Sequence, residues 1–163
     1  MISITAVLHT ENDALRLGRA LETVYACDDI LVVDYGSRDG TVRVAREYGA
    51  RVVDARSGAS PGDYLHFIKS GPSSPGWILC LDPRESLTEK LAASLFEWKS
   101  ESFHAQDPFS VFLRDETAEG WVEVPAAQTR LIPPTWSLWK ENFPVHEPSA
   151  AALEGELLRF VFP

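Results

Sequence analysis

The stretch Leu31–Val53 reads LVVDYGSRDGTVRVAREYGARVV and decides the fold. Ile30–Val33 is a continuous apolar run, which is typical of a strand covered on both faces. The run ends at Asp34, a polar turn follows, and Thr41–Tyr48 has a helical pattern that stops at a glycine. A second strand is predicted over Arg51–Asp54. The stretch therefore predicts a strand, a helix and a strand in succession.

Apolar patterning predicts further elements on both sides of this stretch. They are a strand over Ile2–Leu8, a helix capped by Asn12 or Asp13, a short helix over Tyr64–Lys69, a strand over Trp77–Leu81 and a helix capped by Thr88. This order predicts an α/β fold with a mostly parallel sheet and helices on both faces. Ligands bind such sheets at the carboxyl ends of the strands, near the change in strand order. Asp34 and Asp82 both follow strands, and we expect them to share a site.

The pattern changes after about residue 100. The segments FSVFLRD, WVEV and QTRLI are short strand candidates, which predict a short, mixed C-terminal extension of the sheet. The segment PPTWSLWKENFPVHEP is predicted to be an ordered loop. Its Trp136 and Trp139 form either a sugar-stacking platform or aromatic core. No linker separates the two parts, and we expect a single domain over residues 1–163, with halves 1–100 and 101–163.

The composition restricts the classes of partner. The chain has 24 acidic and 15 basic residues and a net charge of -9, which argues against general nucleic-acid binding. One phosphorylated small molecule is compatible with this charge, because a single arginine can bind a diphosphate. No apolar stretch is long enough to span a bilayer and no signal peptide is evident, so we expect no transmembrane segment and a cytoplasmic location. Cys27 and Cys80 have no metal-ligand spacing and are interpreted as buried apolar residues.

Several motifs of this chain resemble those of a known protein family. ITAVLHTENDALRLGRALETV followed by DDILVVDYGSRDGTVRVAREYGARVV resembles the N-terminal half of the family 2 glycosyltransferases. VVDYGSRDGT matches that family's pattern at every fixed position, and WILCLDPRESLT stands where the family has W-x-L-x-L-D-A-D-E-x-L-T. TRLIPPTWSLWKENFPVHEP is similar to the R-L-F and V-H-E segment of the lipopolysaccharide-core-like branch. The resemblance implies a GT-A (Rossmann-like) fold, a nucleotide-binding half over 1–100 and a shortened acceptor-side half over 101–163.

The resemblance also implies roles for individual residues. Asp34 accepts a hydrogen bond from the nucleotide base, Asp82 lies close to the ribose or a metal, and the Thr10-Glu11 turn wraps the base and ribose through backbone groups. Glu147 or His146 acts as the base that takes the proton of the acceptor hydroxyl.

For several of these positions the sequence also allows a purely structural role, such as capping or packing. Asp34 alternatively caps a turn, and Asp39 with Ser37 is placed to cap the helix that begins near Thr41. His9, at the end of the first strand, either approaches the nucleotide or packs at the strand end.

Position 84 departs from the family pattern. Arg84 stands where the family has the acidic residue that holds a divalent cation, Mg²⁺ or Mn²⁺, and this leaves Asp82 as the candidate metal ligand. We therefore assign no cofactor from the sequence, and Mg²⁺ or Mn²⁺ at Asp82 is the open alternative. In one interpretation Arg84 replaces the metal and neutralises the diphosphate. In the other the site has decayed, and Arg84 pairs with Asp82 or Glu85 on a solvated surface.

These observations give two functional hypotheses from different classes. In the first, the chain is an enzyme that moves a sugar from a nucleotide-diphospho-sugar to a glycan or lipid-linked acceptor, in envelope glycan synthesis. In the second, it is a catalytically inactive GT-A-like protein that binds a nucleotide or a partner protein. A sugar nucleotidyltransferase is a weaker third, because the Gly-rich N-terminal loop of that class is missing.

Overall fold

The computed structural model describes residues 2–55, 76–101 and 105–163. In chain order the described elements are β1 (Ile4–Thr10), α1 (Ala14–Leu21), β2 (Asp29–Asp34), α2 (Thr41–Glu47), β3 (Arg51–Asp54), β4 (Trp77–Leu81), β5 (Glu85–Leu87), α3 (Glu89–Ser100), β6 (Phe109–Thr117), β7 (Gly120–Glu123), β8 (Gln128–Ile132), β9 (Trp139–Lys140), β10 (Phe143–Pro144) and β11 (Ala151–Arg159). The helix predicted over Tyr64–Lys69 lies outside the described residues. Within the described ranges, no helix is long and apolar enough to cross a membrane.

The described strands form a large sheet in the order β3-β2-β1-β4-β8-β6-β11-β5, with β7 paired to β6. The first four strands of this order are parallel, whereas β8 is antiparallel to both β4 and β6. The change in strand order lies at β1, between β2 and β4. The carboxyl ends of β1, β2 and β4 therefore meet at one edge of the sheet, as expected of an α/β fold with a ligand site at the switch point.

Successive residues of the central strands point to opposite faces of the sheet. Leu8 of β1, Val32 of β2 and Leu79 of β4 belong to a buried cluster that also contains residues of all three described helices. On the opposite face, a second buried cluster packs against Trp136 and Trp139. The structure thus favours the aromatic-core interpretation of both tryptophans.

Several local predictions are confirmed. The side chain of Thr88 caps α3 by accepting a hydrogen bond from the backbone N–H of Leu91 at 3.2 Å. The strands predicted over FSVFLRD, WVEV and QTRLI are β6, β7 and β8. Cys80 is buried and Cys27 is half-buried, both thiols are free, and burial raises the pKa of each to about 12.

Four of the described strands were not predicted. β9 and β10 pair antiparallel inside the segment PPTWSLWKENFPVHEP, which was predicted to be a loop. β5 begins directly after Arg84, and β11 lies inside the sheet between β6 and β5. Their contacts hold the segment around position 84, because the backbone N–H of Phe160, next to the end of β11, donates to the Arg84 carbonyl at 2.9 Å. The C-terminal strand therefore positions the residue that departs from the family pattern.

Candidate functional site

Asp34 joins the carboxyl ends of β1 and β2. Its Oδ1 accepts hydrogen bonds from the hydroxyls of Thr10 at 2.7 Å and Ser37 at 2.6 Å, and its Oδ2 accepts the backbone N–H of Ser37 at 2.9 Å. The residue is only 4% exposed. In the structure the carboxylate therefore holds the strand ends together, as in the turn-capping interpretation.

The turn after β2 is tied to the turn after β1 by four further bonds. The N–H of Asn12 donates to Ser37 Oγ at 2.9 Å, and the N–H of Arg38 donates to Asn12 Oδ1 at 2.8 Å. The N–H of Asp13 donates to Thr41 Oγ1 at 2.8 Å. The fourth bond comes from the first residue of α1 and is made to Asp39. The VVDYGSRDGT motif thus fixes the shape of the site rim.

Asp39 accepts a hydrogen bond from the first residue of each of two helices. Its Oδ1 accepts the N–H of Thr41, the first residue of α2, at 3.0 Å, and its Oδ2 accepts the N–H of Ala14, the first residue of α1, at 3.1 Å. Burial tends to raise the pKa of Asp39, but these bonds and the one from the Thr41 hydroxyl hold it below the usual range. The predicted capping of α2 is confirmed for Asp39, whereas Ser37 bonds to Asp34 and Asn12 instead.

The Thr10-Glu11 turn uses two of its backbone groups inside the protein. The Thr10 carbonyl accepts the N–H of Tyr35 at 2.9 Å, and the Glu11 N–H donates to Asp13 Oδ2 at 2.9 Å. Both residues line a hollow of about 330 Å³, called the first hollow, together with His9, Arg16 and the Asp82–Arg84 segment. The Glu11 side chain is exposed at its rim.

Asp82 and Arg84 form an ion pair at the carboxyl end of β4. Arg84 Nε lies 2.9 Å and Nη2 3.3 Å from the Asp82 carboxylate, which also accepts the Arg84 backbone N–H at 2.9 Å. Burial tends to raise the pKa of Asp82, but the Arg84 hydrogen bonds and charge hold it below the usual range. The hydrogen bonds that its side chain donates to Asp82 raise the pKa of Arg84. Because the Arg84 side chain is 45% exposed and Nη1 makes no bond to Asp82, it keeps donors for a ligand.

The arrangement does not fit a divalent cation. A metal at Asp82 would compete with Arg84 for the same carboxylate, and the guanidinium would repel it. In the ranges 2–55, 76–101 and 105–163, no group of three or more His, Cys, Asp or Glu residues is placed to hold a metal ion.

Asp82 and Arg84 also border a second and larger hollow of about 550 Å³, called the second hollow. Its other side is formed by Arg130, Lys140, His146 and Arg159. The Asp82–Arg84 pair is thus shared by both hollows, which makes it the centre of the candidate site.

Glu85 is the acid that the sequence interpretation left without a role. It is fully buried, and its two oxygens lie 2.6 and 2.9 Å from the Arg130 guanidinium, which is itself 2% exposed. Glu85 also accepts the backbone N–H of Asp82 at 2.8 Å. The Arg130 guanidinium stacks over Phe143, 4.4 Å from the ring centroid. This buried ion pair forms part of the wall of the second hollow.

The adjacent residues His146 and Glu147 lie on different sides of the chain. His146 lines the second hollow, and its Nδ1 is 3.1 Å from the Thr129 hydroxyl. Glu147 lines a separate hollow, and its carboxylate accepts two hydrogen bonds from Ser149, which lower its pKa. The structure therefore brings His146 to Asp82 and Arg84 and leaves Glu147 outside.

Comparison with known proteins bears on this site. No protein-family model matches the chain. A protein named as an uncharacterized glycosyltransferase from Rickettsia felis is 35% identical over 97 residues, which cover 56% of this chain and 32% of that protein. The 4,4'-diaponeurosporenoate glycosyltransferase of Staphylococcus aureus is 40% identical over 55 residues, which cover 32% of this chain and 15% of that protein. The chain is a relative of glycosyltransferases.

The fold of this chain agrees with its sequence similarity to glycosyltransferases. The crystal structure of TarS from Staphylococcus aureus superposes with a TM-score of 0.52 at 14% identity, covering 83% of this chain and 29% of TarS. The predicted GT-A fold is confirmed. The chain spans less than a third of the length of the two curated relatives, and the assignment to the lipopolysaccharide-core-like branch stays a prediction.

His9 packs in this GT-A fold at the end of β1. Its Nδ1 lies 2.9 Å from the Tyr35 hydroxyl, the two rings are stacked, and burial lowers the pKa of His9 to about 4. The imidazole is therefore neutral at pH 7. It lines the first hollow, but a neutral ring bonded to Tyr35 fits the packing interpretation better than a contact with phosphate.

This low pKa predicts a pH dependence of stability. The folded state holds His9 neutral down to about pH 4, whereas the unfolded chain takes up a proton near the ordinary histidine pKa of 6.5, so stability falls as the pH drops between these values. From pH 7 to pH 5 the wild type should lose about 2 kcal/mol more unfolding free energy than His9→Gln. Urea denaturation at both pH values measures this, and equal losses in the two proteins would contradict the assignment.

Proposed function

We propose that the chain is a glycosyltransferase that moves a sugar from a nucleoside-diphospho-sugar donor to an acceptor hydroxyl. The observation that carries the proposal is the Asp82–Arg84 pair, which lies at the switch point of the sheet and borders both hollows. The relationship to proteins named glycosyltransferases supports the reaction class. The whole reaction, including donor and acceptor, is part of the proposal.

The first hollow receives the nucleoside in this proposal. The Thr10-Glu11 turn forms one wall of this hollow. Asp34 is buried, is not among the residues that line the hollow, and fixes this wall through its bond from the Thr10 hydroxyl, so a direct bond from Asp34 to the base stays a prediction. Asp82 orients Arg84, whose free guanidinium N–H groups meet the diphosphate. The guanidinium thus supplies positive charge where the related family uses a divalent cation.

The second hollow receives the acceptor. We assign the base to His146 rather than Glu147, because His146 lines the same hollow as Asp82 and Arg84 whereas Glu147 lines a different one. Nδ1 is held at the Thr129 hydroxyl, which leaves Nε2 to take the acceptor proton. The acceptor oxygen then bonds to the anomeric carbon, the bond from that carbon to the diphosphate oxygen breaks, and the nucleoside diphosphate leaves with the electron pair.

A donor-hydrolysis screen tests the proposal. UDP-, GDP-, TDP- and CMP-sugars are incubated with the protein, and release of the nucleotide is compared with a blank. We expect one donor to turn over, and His146→Gln to slow that turnover by about 10²- to 10⁴-fold, since this is the usual contribution of a general base. Glu147→Gln, the neighbouring substitution outside the hollow, should leave turnover unchanged. Equal effects of the two substitutions would overturn the assignment of the base.

A second candidate is a nucleotide-binding protein without turnover. Arg84 favours it, because the described part of the chain holds no set of ligands for the ion that the related family places at this position. Thermal-shift measurements with the same nucleotides separate the candidates. Stabilisation without turnover supports the binding protein, and stabilisation with turnover supports the transferase.

A further inference from the structure

The two hollows differ in charge. In the first, Arg16 and Arg84 face the three carboxylates of Glu11, Asp13 and Asp82. In the second, the four cations of Arg84, Arg130, Lys140 and Arg159 face the three carboxylates of Asp82, Glu85 and Glu141. The second hollow therefore carries an excess of positive charge in a chain whose net charge is -9. Such a local excess favours an anion.

Glu85 is shared by two arginines, and Arg159 is the more loosely held. The Glu85 oxygens already accept close bonds from Arg130 and from the Asp82 backbone. Arg159 reaches Glu85 at 3.2 and 3.3 Å, and its Nη1 lies 3.5 Å from Asp115. Arg159 is thus held by longer contacts to two carboxylates rather than by one close pair, and its side chain is 25% exposed and lines the hollow. These weak contacts leave its guanidinium available to an anion in the hollow.

Lys140 lies in β9 on the other side of the second hollow and is exposed. Within the described ranges, its ammonium has no carboxylate at ion-pair distance. The next residue, Glu141, also lines the hollow and has a left-handed backbone with φ of 56°. The other two carboxylates that line the hollow, Asp82 and Glu85, are paired with Arg84 and Arg130, and the four cations in the lining exceed the three acids.

We infer that the second hollow binds an acceptor that carries an anionic group, a phosphate or a carboxylate, through Lys140 and Arg159. The inference rests on the proposed function, because it names the acceptor class of the same site. Arg159 offers a planar fork for two oxygens and Lys140 a point charge, and Arg84 remains for the donor diphosphate. An acceptor without charge would leave Lys140 without a counterpart.

The rival occupant is the donor itself, whose diphosphate would then use all of these cations. Glucose 6-phosphate and glucose are a matched pair of probes, and glucuronate tests the carboxylate. Calorimetry of each probe is carried out with and without saturating UDP or GDP. We expect glucose 6-phosphate or glucuronate to bind in the presence of the nucleotide and glucose not to bind. The stronger of the two identifies the anion.

Lys140→Met should weaken binding of the charged probe by about tenfold, as expected for one lost charge-assisted contact. Lys90→Met removes an equal charge from an exposed helix position on another part of the surface and should have no effect. Arg159→Gln should weaken binding similarly, with partial recovery in Arg159→Lys. Equal binding of glucose, no effect of Lys140→Met, or displacement of the probe by the nucleotide would overturn the inference. Nucleotide binding is measured in the same experiment, so failure of the donor site is recognised separately.

Discussion

Replacing Glu85 with alanine is expected to lower the free energy of unfolding by about 3–5 kcal/mol. The substitution removes a fully buried carboxylate and leaves the Arg130 guanidinium, 2% exposed, without its charge partner. Arg130 keeps hydrogen bonds to the Cys80 carbonyl at 3.0 Å and to Gln128 at 2.9 Å, which do not neutralise its charge. Urea denaturation of the wild type and the variant measures the loss.

Two further variants show whether charge or contact is responsible. Glu47→Ala breaks the exposed pair between Arg43 and Glu47, and should cost less than about 1 kcal/mol. The double variant Glu85→Leu with Arg130→Met should recover much of the stability, because it leaves no buried charge. If Glu85→Ala costs as little as Glu47→Ala, the buried pair does not stabilise this wall of the site.

Replacing Gly155 with alanine is expected to cost about 3 kcal/mol or more, from a strained backbone and an overpacked contact together. Gly155 has φ of 96° in an irregular part of β11, and an added Cβ would lie 2.3 Å from the backbone nitrogen of Leu91 and 2.6 Å from its Cα. These are backbone atoms of α3, so no side-chain rotation relieves the contact. Thermal and urea denaturation measure the effect.

Gly49→Ala is the matched control for this prediction. Gly49 also has a positive φ, 79°, but an added Cβ would meet nothing within 4 Å. Its substitution should cost only the backbone term of about 1–2 kcal/mol. Equal costs at Gly49 and Gly155 would show that α3 and β11 tolerate a wider spacing than the structure gives them.

The first half of the fold was predictable because its signals are local. An apolar run, a polar turn and a helical pattern follow one another in Leu31–Val53, and parallel strands bring Asp34 and Asp82 to one edge. The motif residues turned out to bond mainly to each other. Ser37 and Asp39 join the turns after β1 and β2, and a single sequence stretch does not show this, because the partners lie some 25 residues away.

The second hollow was less predictable because it depends on register. Glu85 meets Arg130 only because β8 pairs antiparallel with β4, which sets Leu131 opposite Leu79. Side chains alternate along an extended chain, which explains why His146 and Glu147 point apart, but this alternation does not tell which of them faces the site. β11 was missed because a glycine bulge interrupts its pattern, and this strand fixes Arg84 through the adjacent Phe160.

Calorimetric titration with UDP and GDP tests most directly whether Arg84 takes the place of a metal. We expect the wild type to bind one nucleotide equally well with EDTA and with Mn²⁺, and Arg84→Ala to weaken binding by about ten- to a hundredfold, the equivalent of one charge-assisted contact. Arg43→Ala, which removes an equal charge from the surface, should bind as the wild type does. Binding that requires Mn²⁺ and is unchanged in Arg84→Ala would show that Arg84 does not replace a metal.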